Sequence, residues 1–233
     1  MKISDFKGLF KKSILTVESV NNTYADYYEI KLKPEAGVLW TAGEHGIFTL
    51  PNNRVEGKKW RAFSVASIPE ENIMIIGTRT GKEASNFKKE LISMKKGDQI
   101  AIIGPFGWFK IQDESTPIVM IAGGVGITPI RALLKKLEND LSRPVDLIYS
   151  SSDYYLFEDE IQAIVAANEK ITLHKTSKRE ETNTALAELT SKYDNSAFYY
   201  ISGSRPFIGA VKKQITSTGV RRNRIINDPF FGY

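Results

Sequence analysis

The spacing of hydrophobic positions divides the chain in two. From Ser13 to about Ile111, short apolar runs alternate with turn-forming residues. Residues 27–32, 47–50, 73–76 and 99–103 read as strands, separated by Lys33-Pro34, Pro51-Asn52-Asn53, Ile68-Pro69 and Lys96-Gly97-Asp98. Short strands closed at regular spacing by Gly, Pro, Asn or Asp predict an antiparallel barrel or sandwich. One helix interrupts them over 85–94, where Phe87, Leu91 and Ile92 share a face and Ser85 is placed to cap it.

After residues 113–116 the period changes. Ile118-Val119-Met120-Ile121-Ala122 is continuously apolar, as a strand buried on both faces of a parallel sheet must be. A glycine turn and a helix over 129–141 follow. The pattern repeats with a strand at 145–149 and a helix at 157–167, and again with strands at 171–173 and 197–201 and a helix at 206–217. Alternating strand and helix predicts a doubly wound parallel sheet. The expected architecture is an antiparallel β-barrel domain over 1–113 followed by an α/β parallel-sheet domain over 114–233. Residues 177–183 read as a loop of mixed charge.

Composition narrows the chemistry. Of the 233 residues, 42% are hydrophobic and 25% charged, an ordinary globular balance. There is no cysteine, which excludes disulfides, thiolate catalysis and any iron–sulfur cluster or zinc ribbon held by thiolates of these residues. The only histidines, His45 and His174, supply a metal site poorly, and both read as structural. The net charge of +5 is spread evenly, 17 basic against 14 acidic residues up to Ser115 and 15 against 13 beyond it. No concentrated basic face for nucleic acid is required, whereas a mild positive excess suits an acidic protein partner. Lys88, Lys89, Lys95 and Lys96 read as a solvated face. The apolar stretch 118–134 is broken by glycines, a proline and an arginine and falls short of a membrane span. Lys7, Lys11 and Lys12 interrupt the start before a signal peptide's apolar run develops, so a cytoplasmic location is expected.

Two segments carry candidate chemistry. Ala122-Gly123-Gly124-Val125-Gly126-Ile127-Thr128-Pro129 lies between a buried strand and a helix. Glycines there let the backbone approach a phosphate, and the unpaired amides of a helix start attract an anion. Arg61-Ala62-Phe63-Ser64-Val65-Ala66-Ser67 offers a cation for phosphate, a flat apolar face for a ring and a hydroxyl for a ring nitrogen.

Taken in order, the segments resemble the ferredoxin–NADP reductase superfamily over almost the whole chain. The matching series is Arg-x-aromatic-Ser at 61–64, Gly81 to Ser85, Gly104-Pro105-Phe106-Gly107-Trp108-Phe109, the glycine turn at 123–129, Tyr199-Tyr200-Ile201-Ser202-Gly203, and Asp228-Pro229-Phe230-Phe231-Gly232-Tyr233. The resemblance implies a barrel that carries FAD and a Rossmann-like domain that carries NADP or NAD. It places Arg61 on the flavin phosphates, Phe63 and Ser67 in the flavin site, and Ser64 near the ring nitrogen that receives hydride. Gly81 and Ser85 then sit on the pyrophosphate, and Gly123, Gly124, Gly126, Thr128, Pro129 and Gly203 cradle the nicotinamide dinucleotide.

Ser177, Lys178 and Arg179 resemble the loop that receives the adenosine 2′-phosphate, so the resemblance implies a preference for NADPH. Ser202 stands where the family has cysteine, and Phe63 where it usually has tyrosine. Asp228 falls near the reacting atoms, and Tyr233 reads as an aromatic lid on the flavin. The implied function is an FAD-dependent NAD(P)H oxidoreductase passing electrons to a separate acceptor such as ferredoxin, flavodoxin or an oxygenase component. A reductase of quinone, ferric chelate or free flavin, and a flavin-binding module without turnover, are the alternatives.

Overall fold

The computed structural model describes Asp5, residues 8–9 and residues 11–229. The chain divides into two compact units, with the boundary after Lys110. In unit 1, strands β1 (Lys12–Tyr24), β2 (Tyr27–Pro34), β3 (His45–Thr49), β4 (Trp60–Ser64), β5 (Met74–Arg79) and β6 (Gln99–Phe106) form an antiparallel sheet in the order β4-β3-β6-β1-β2-β5. The sheet curls until its two edges meet. Ala66 N–H, just past β4, donates to the Ile75 carbonyl of β5 (2.7 Å), and Ile75 N–H donates to Ser67 Oγ (3.0 Å). Edge pairing of this kind satisfies backbone groups that an open sheet would leave exposed. Alternate residues point inward, so Leu15, Val17, Ile30, Leu32, Phe48, Ile76 and Ile102 share one core. Helix α1 (Asn86–Ser93) plugs that core with Phe87 and Leu91.

Unit 2 is the predicted alternation of strand and helix. Its five parallel strands are β7 (Ile118–Gly123), β8 (Val145–Ser150), β9 (Ile171–Thr176), β10 (Phe198–Ser202) and β11 (Ile225–Asn227), ordered β11-β10-β7-β8-β9. Helices α2 (Ile127–Leu137), α3 (Glu158–Ala167), α4 (Arg179–Tyr193) and α5 (Arg205–Ser217) connect them. The chain leaves β7 toward β8 and β9, then returns to β7's other side with β10. The junction between β7 and β10 is therefore where the winding reverses.

Two expectations need correction. Residues 179–183, read as part of a loop, are the first turn of α4. The inward positions of that helix include Thr182 and Thr190 beside Leu186, Leu189 and Tyr193, so its buried stripe is weakly apolar and its period is hard to see. Each threonine hydroxyl lies within hydrogen-bond distance of a carbonyl one turn earlier, Thr182 of Lys178 (3.1 Å) and Thr190 of Leu186 (2.9 Å). Helix α2 ends at Leu137, four residues before the expected 141. The fully buried Asn168 donates its amide to the carbonyls of Leu137 (3.1 Å), Glu138 (3.0 Å) and Asp140 (3.0 Å), capping the helix from some thirty residues away.

Candidate functional site

In unit 2 the site follows from topology. In open α/β sheets ligands bind outside the carboxyl ends of the strands, where the winding reverses. Here the segments leaving β7 and β10 flank that crevice. The first is the single 3-10 turn Gly124–Gly126, which leads directly into α2. Gly124 adopts φ +53°, and a Cβ built on it would point into open space, leaving its backbone bare toward solvent. Gly126 has an ordinary helical φ, but a Cβ there would lie 2.4 Å from the Ser202 carbonyl oxygen and 2.5 Å from Gly203 N. It is therefore glycine because the start of α2 presses against the end of β10. No side chain caps α2 and its first turn carries no acidic residue, but Ile127 N–H is taken by the Gly124 and Val125 carbonyls and Pro129 has none. The bare backbone of the turn therefore offers more to an anion than the first amides of the helix do.

Thr128 and Pro129 are buried within this arrangement. The Thr128 hydroxyl donates to the Val125 carbonyl (2.7 Å), so both residues shape the turn from behind. Ser202 is fully buried at the end of β10, and its Oγ donates to Asp228 Oδ2 (3.2 Å). Asp228 is held in turn by its N–H on the Ile201 carbonyl (2.9 Å). The structure thus brings together two of the predicted reacting-site residues, and Gly203 follows them at the crevice wall. Ser177 and Lys178 immediately precede α4 and Arg179 opens it, all three exposed.

In unit 1 the segment 61–64 is strand β4, and Arg61 and Phe63 share one of its faces. Phe63 packs on Phe48 (ring centroids 5.6 Å) and Phe87 (6.3 Å), presenting a rigid apolar surface. The Arg61 guanidinium lies 5.7 Å from the Phe87 ring and donates to the carbonyls of Trp60 (2.9 Å) and Lys58 (3.3 Å). No carboxylate pairs with it among the described residues. Helix α1 begins beside it, capped by Ser85, whose Oγ accepts from Lys88 N–H (3.4 Å).

Sequence reasoning assigned Lys88 to a solvated face, but the residue is largely buried. Its Nζ donates to the Arg79 carbonyl (2.5 Å). Burial first, and then the like charge of Arg61, push its pKa down to about 8, while Asp26 pulls the other way. The start of α1, the Arg61 guanidinium and Lys88 thus lie close together, a grouping to which the sequence pointed only through Arg61 and Ser85.

Two other expectations change. Ser67 is fully buried and closes the barrel with its hydroxyl on Ile75, so it faces no ligand. The Gly81 amide donates to Asp26 Oδ2 (2.9 Å), which also accepts from Arg79 Nε (2.9 Å), so this amide serves the β1–β2 hairpin. Ser64 is half-buried on β4, opposite His45. His45, at the start of β3, is buried, with its ring edge-on to Phe106 at 4.5 Å. His174 Nε2 lies 2.8 Å from Asp146 Oδ1, a structural partnership. Tyr233 lies outside the described residues. Among those residues no helix is long and apolar enough to cross a membrane.

Residues 120–213 match the family model of the oxidoreductase NAD-binding domain. The whole-chain fold is that of an Amycolatopsis cytochrome P450 reductase (TM-score 0.80, 19% identity, covering 94% of this chain and 70% of that one). It is equally that of the ferredoxin–NADP⁺ reductase of Plasmodium falciparum (TM-score 0.75, 16% identity, 93% and 95% covered). Residues 120–213 thus carry the sequence pattern of an oxidoreductase NAD-binding domain, and the chain shares its fold with these two reductases. Among curated proteins, a Na⁺-translocating NADH-quinone reductase component of Pseudomonas aeruginosa is 26% identical over 235 residues. That match takes in 89% of this chain but only 56% of the relative, so the chain spans about half the relative's length.

Each unit's own geometry would suit one of the two cofactors that the sequence resemblance implies, FAD and NAD(P). The Arg61–Lys88–α1 corner suits a pyrophosphate, and the open Gly124 backbone before α2 suits a dinucleotide's phosphates. The state of Lys88 makes the first fit testable. Below pH 8 its ammonium adds to the attraction for phosphate; above pH 8 the empty site loses that proton and binding weakens. Flavin retention, followed by fluorescence of released FAD, is expected to fall by up to about tenfold per pH unit above 8. Lys88→Gln should flatten the curve, and an unaltered pH dependence in that variant would exclude Lys88 from the site.

Proposed function

We propose that the chain takes hydride from NAD(P)H onto FAD and delivers electrons to a separate acceptor. The observation that carries this reading is the glycine turn of residues 124–126 at the strand-order reversal of the parallel sheet. Arg61, Lys88 and the start of α1 bind the flavin's phosphates, while Phe63 and Ser64 offer the ring an apolar face and a hydroxyl. The backbone at 123–126 receives the dinucleotide. Ser202, buried and bonded to Asp228, backs the crevice wall where the nicotinamide end would lie. Bound FAD supplies two-electron acceptance and one-electron release.

With no cysteine among these 233 residues, any thiolate-held iron–sulfur acceptor belongs to other residues or another protein. The mild positive charge favours an acidic protein such as ferredoxin, flavodoxin or an oxygenase component. A quinone is the second reading, supported by the likeness to a NADH-quinone reductase component. Anaerobic addition of NADH or NADPH to the flavin-loaded protein should bleach the flavin band, and a persistently oxidised spectrum would overturn the reading. An acceptor panel at varied salt then separates the two acceptor classes. Reduction of an acidic protein should slow steeply as salt screens the encounter, whereas reduction of a neutral quinone should not.

A further inference from the structure

We infer that Glu181 makes NADH, rather than NADPH, the preferred electron donor, because its carboxylate already holds the backbone amides that a 2′-phosphate would need. The inference rests on the reading above, in which a dinucleotide lies across the crevice beside β7. With its pyrophosphate on the turn after β7, a dinucleotide extends its adenosine over the ends of the next strands, where open-sheet proteins read the ribose 2′ position. Those ends are Ser150 on β8 and Thr176 on β9. Helix α4 joins them, because Thr182 Oγ1 lies 3.0 Å from Ser150 Oγ and 2.8 Å from Thr176 Oγ1. The first turn of α4 is thereby fixed next to the end of β8.

A helix start offers amide donors that lack intrahelical partners, and an incoming phosphate would seek them. Glu181 reaches back across the approach to this helix start, to the amides of the N-cap residue Lys178 and of Ser177 before it. Its Oε2 accepts from Ser177 N–H (2.8 Å), Lys178 N–H (3.1 Å) and Ser177 Oγ (3.3 Å). The two backbone bonds, foremost among the causes, hold this carboxyl below the usual carboxylate range, so it stays charged. A phosphate dianion arriving here meets an anchored negative charge and occupied donors. A ribose 2′-hydroxyl meets an acceptor.

Lys178 and Arg179 flank the position and would favour the phosphate. Both are exposed and form no ion pair among the described residues, and Glu180 and Glu181 balance their charge. The four residues together carry no net charge, so the charge anchored on the amides decides.

Steady-state kinetics of the flavin-loaded protein, with ferricyanide as acceptor, test this. The wild type should show a higher kcat/KM for NADH than for NADPH. Glu181→Gln, which keeps a side-chain acceptor for the amides but removes the charge, should raise the NADPH-to-NADH ratio of kcat/KM on the order of tenfold. A wild type that prefers NADPH overturns the inference, particularly if Arg179→Ala selectively abolishes that preference; so does a ratio that Glu181→Gln leaves unchanged. If neither dinucleotide reduces the flavin, the reductase reading itself falls and the inference with it. Reduction by both with equal efficiency removes only the inference.

Discussion

Replacing Gly126 by alanine is expected to weaken dinucleotide binding at least about tenfold and to cost unit 2 about 1–3 kcal/mol. The added methyl would sit 2.4–2.5 Å from backbone atoms of Ser202 and Gly203. Those atoms belong to the end of a central strand and cannot swing aside as a side chain would. Either α2 lifts off β10 or the β10 end moves, and both displace the turn that faces the dinucleotide. Gly124 gives the contrast. A methyl there meets nothing within 4 Å, so Gly124→Ala carries only the strain of a left-handed backbone, on the order of 1 kcal/mol. Thermal denaturation and titration with NAD⁺ distinguish the two variants. Wild-type binding and stability in Gly126→Ala would show that the close approach of α2 to β10 does not constrain the site.

Acid is expected to destabilise unit 1 between pH 6.5 and about 4 through His45. Burial pushes the folded pKa of this imidazole from 6.5 down to about 4. Below pH 6.5 the unfolded chain therefore takes up a proton that the folded chain refuses, and the equilibrium shifts toward unfolding. The full window is worth about 3 kcal/mol at 1.36 kcal/mol per unit. Above pH 6.5 neither state carries the proton and the effect vanishes. All three tryptophans, Trp40, Trp60 and Trp108, lie in unit 1, so their fluorescence during urea unfolding reports on it alone. His45→Gln should make stability nearly independent of pH over this range. An equally steep loss in that variant would assign the acid sensitivity to other groups.

Much of the fold was legible because backbone periodicity imposes it. The run 118–122 is apolar on both faces because helices cover both sides of its sheet. The alternation in 27–32 marks a sheet with one buried face. The glycine turn was visible for a similar reason, since few residues allow a strand to pass so tightly into a helix. Family resemblance then pointed to Arg61, Ser64, Ser202 and Asp228, and the structure places the last two in hydrogen-bond contact.

What escaped the sequence are features whose partners are distant along the chain. Lys88 looks like a surface lysine on a polar helix, and only the curled sheet puts Arg61 near it and buries it. Ser67 looks like part of a binding motif, yet closure of the barrel gives its hydroxyl to Ile75. Asn168 ends α2 across some thirty intervening residues. Helix α4 hides because threonines share its buried stripe, and Glu181 reads as a charge that cancels Lys178 or Arg179 until the helix start brings its carboxylate onto the amides. Period, turns and glycine positions are local properties, set by sterics and backbone hydrogen bonding within a few residues, and the sequence alone determined them. Which polar groups meet depends on long-range packing, and the tertiary structure alone decided that Lys88 lies near Arg61 and that Glu181 holds the amides of Ser177 and Lys178.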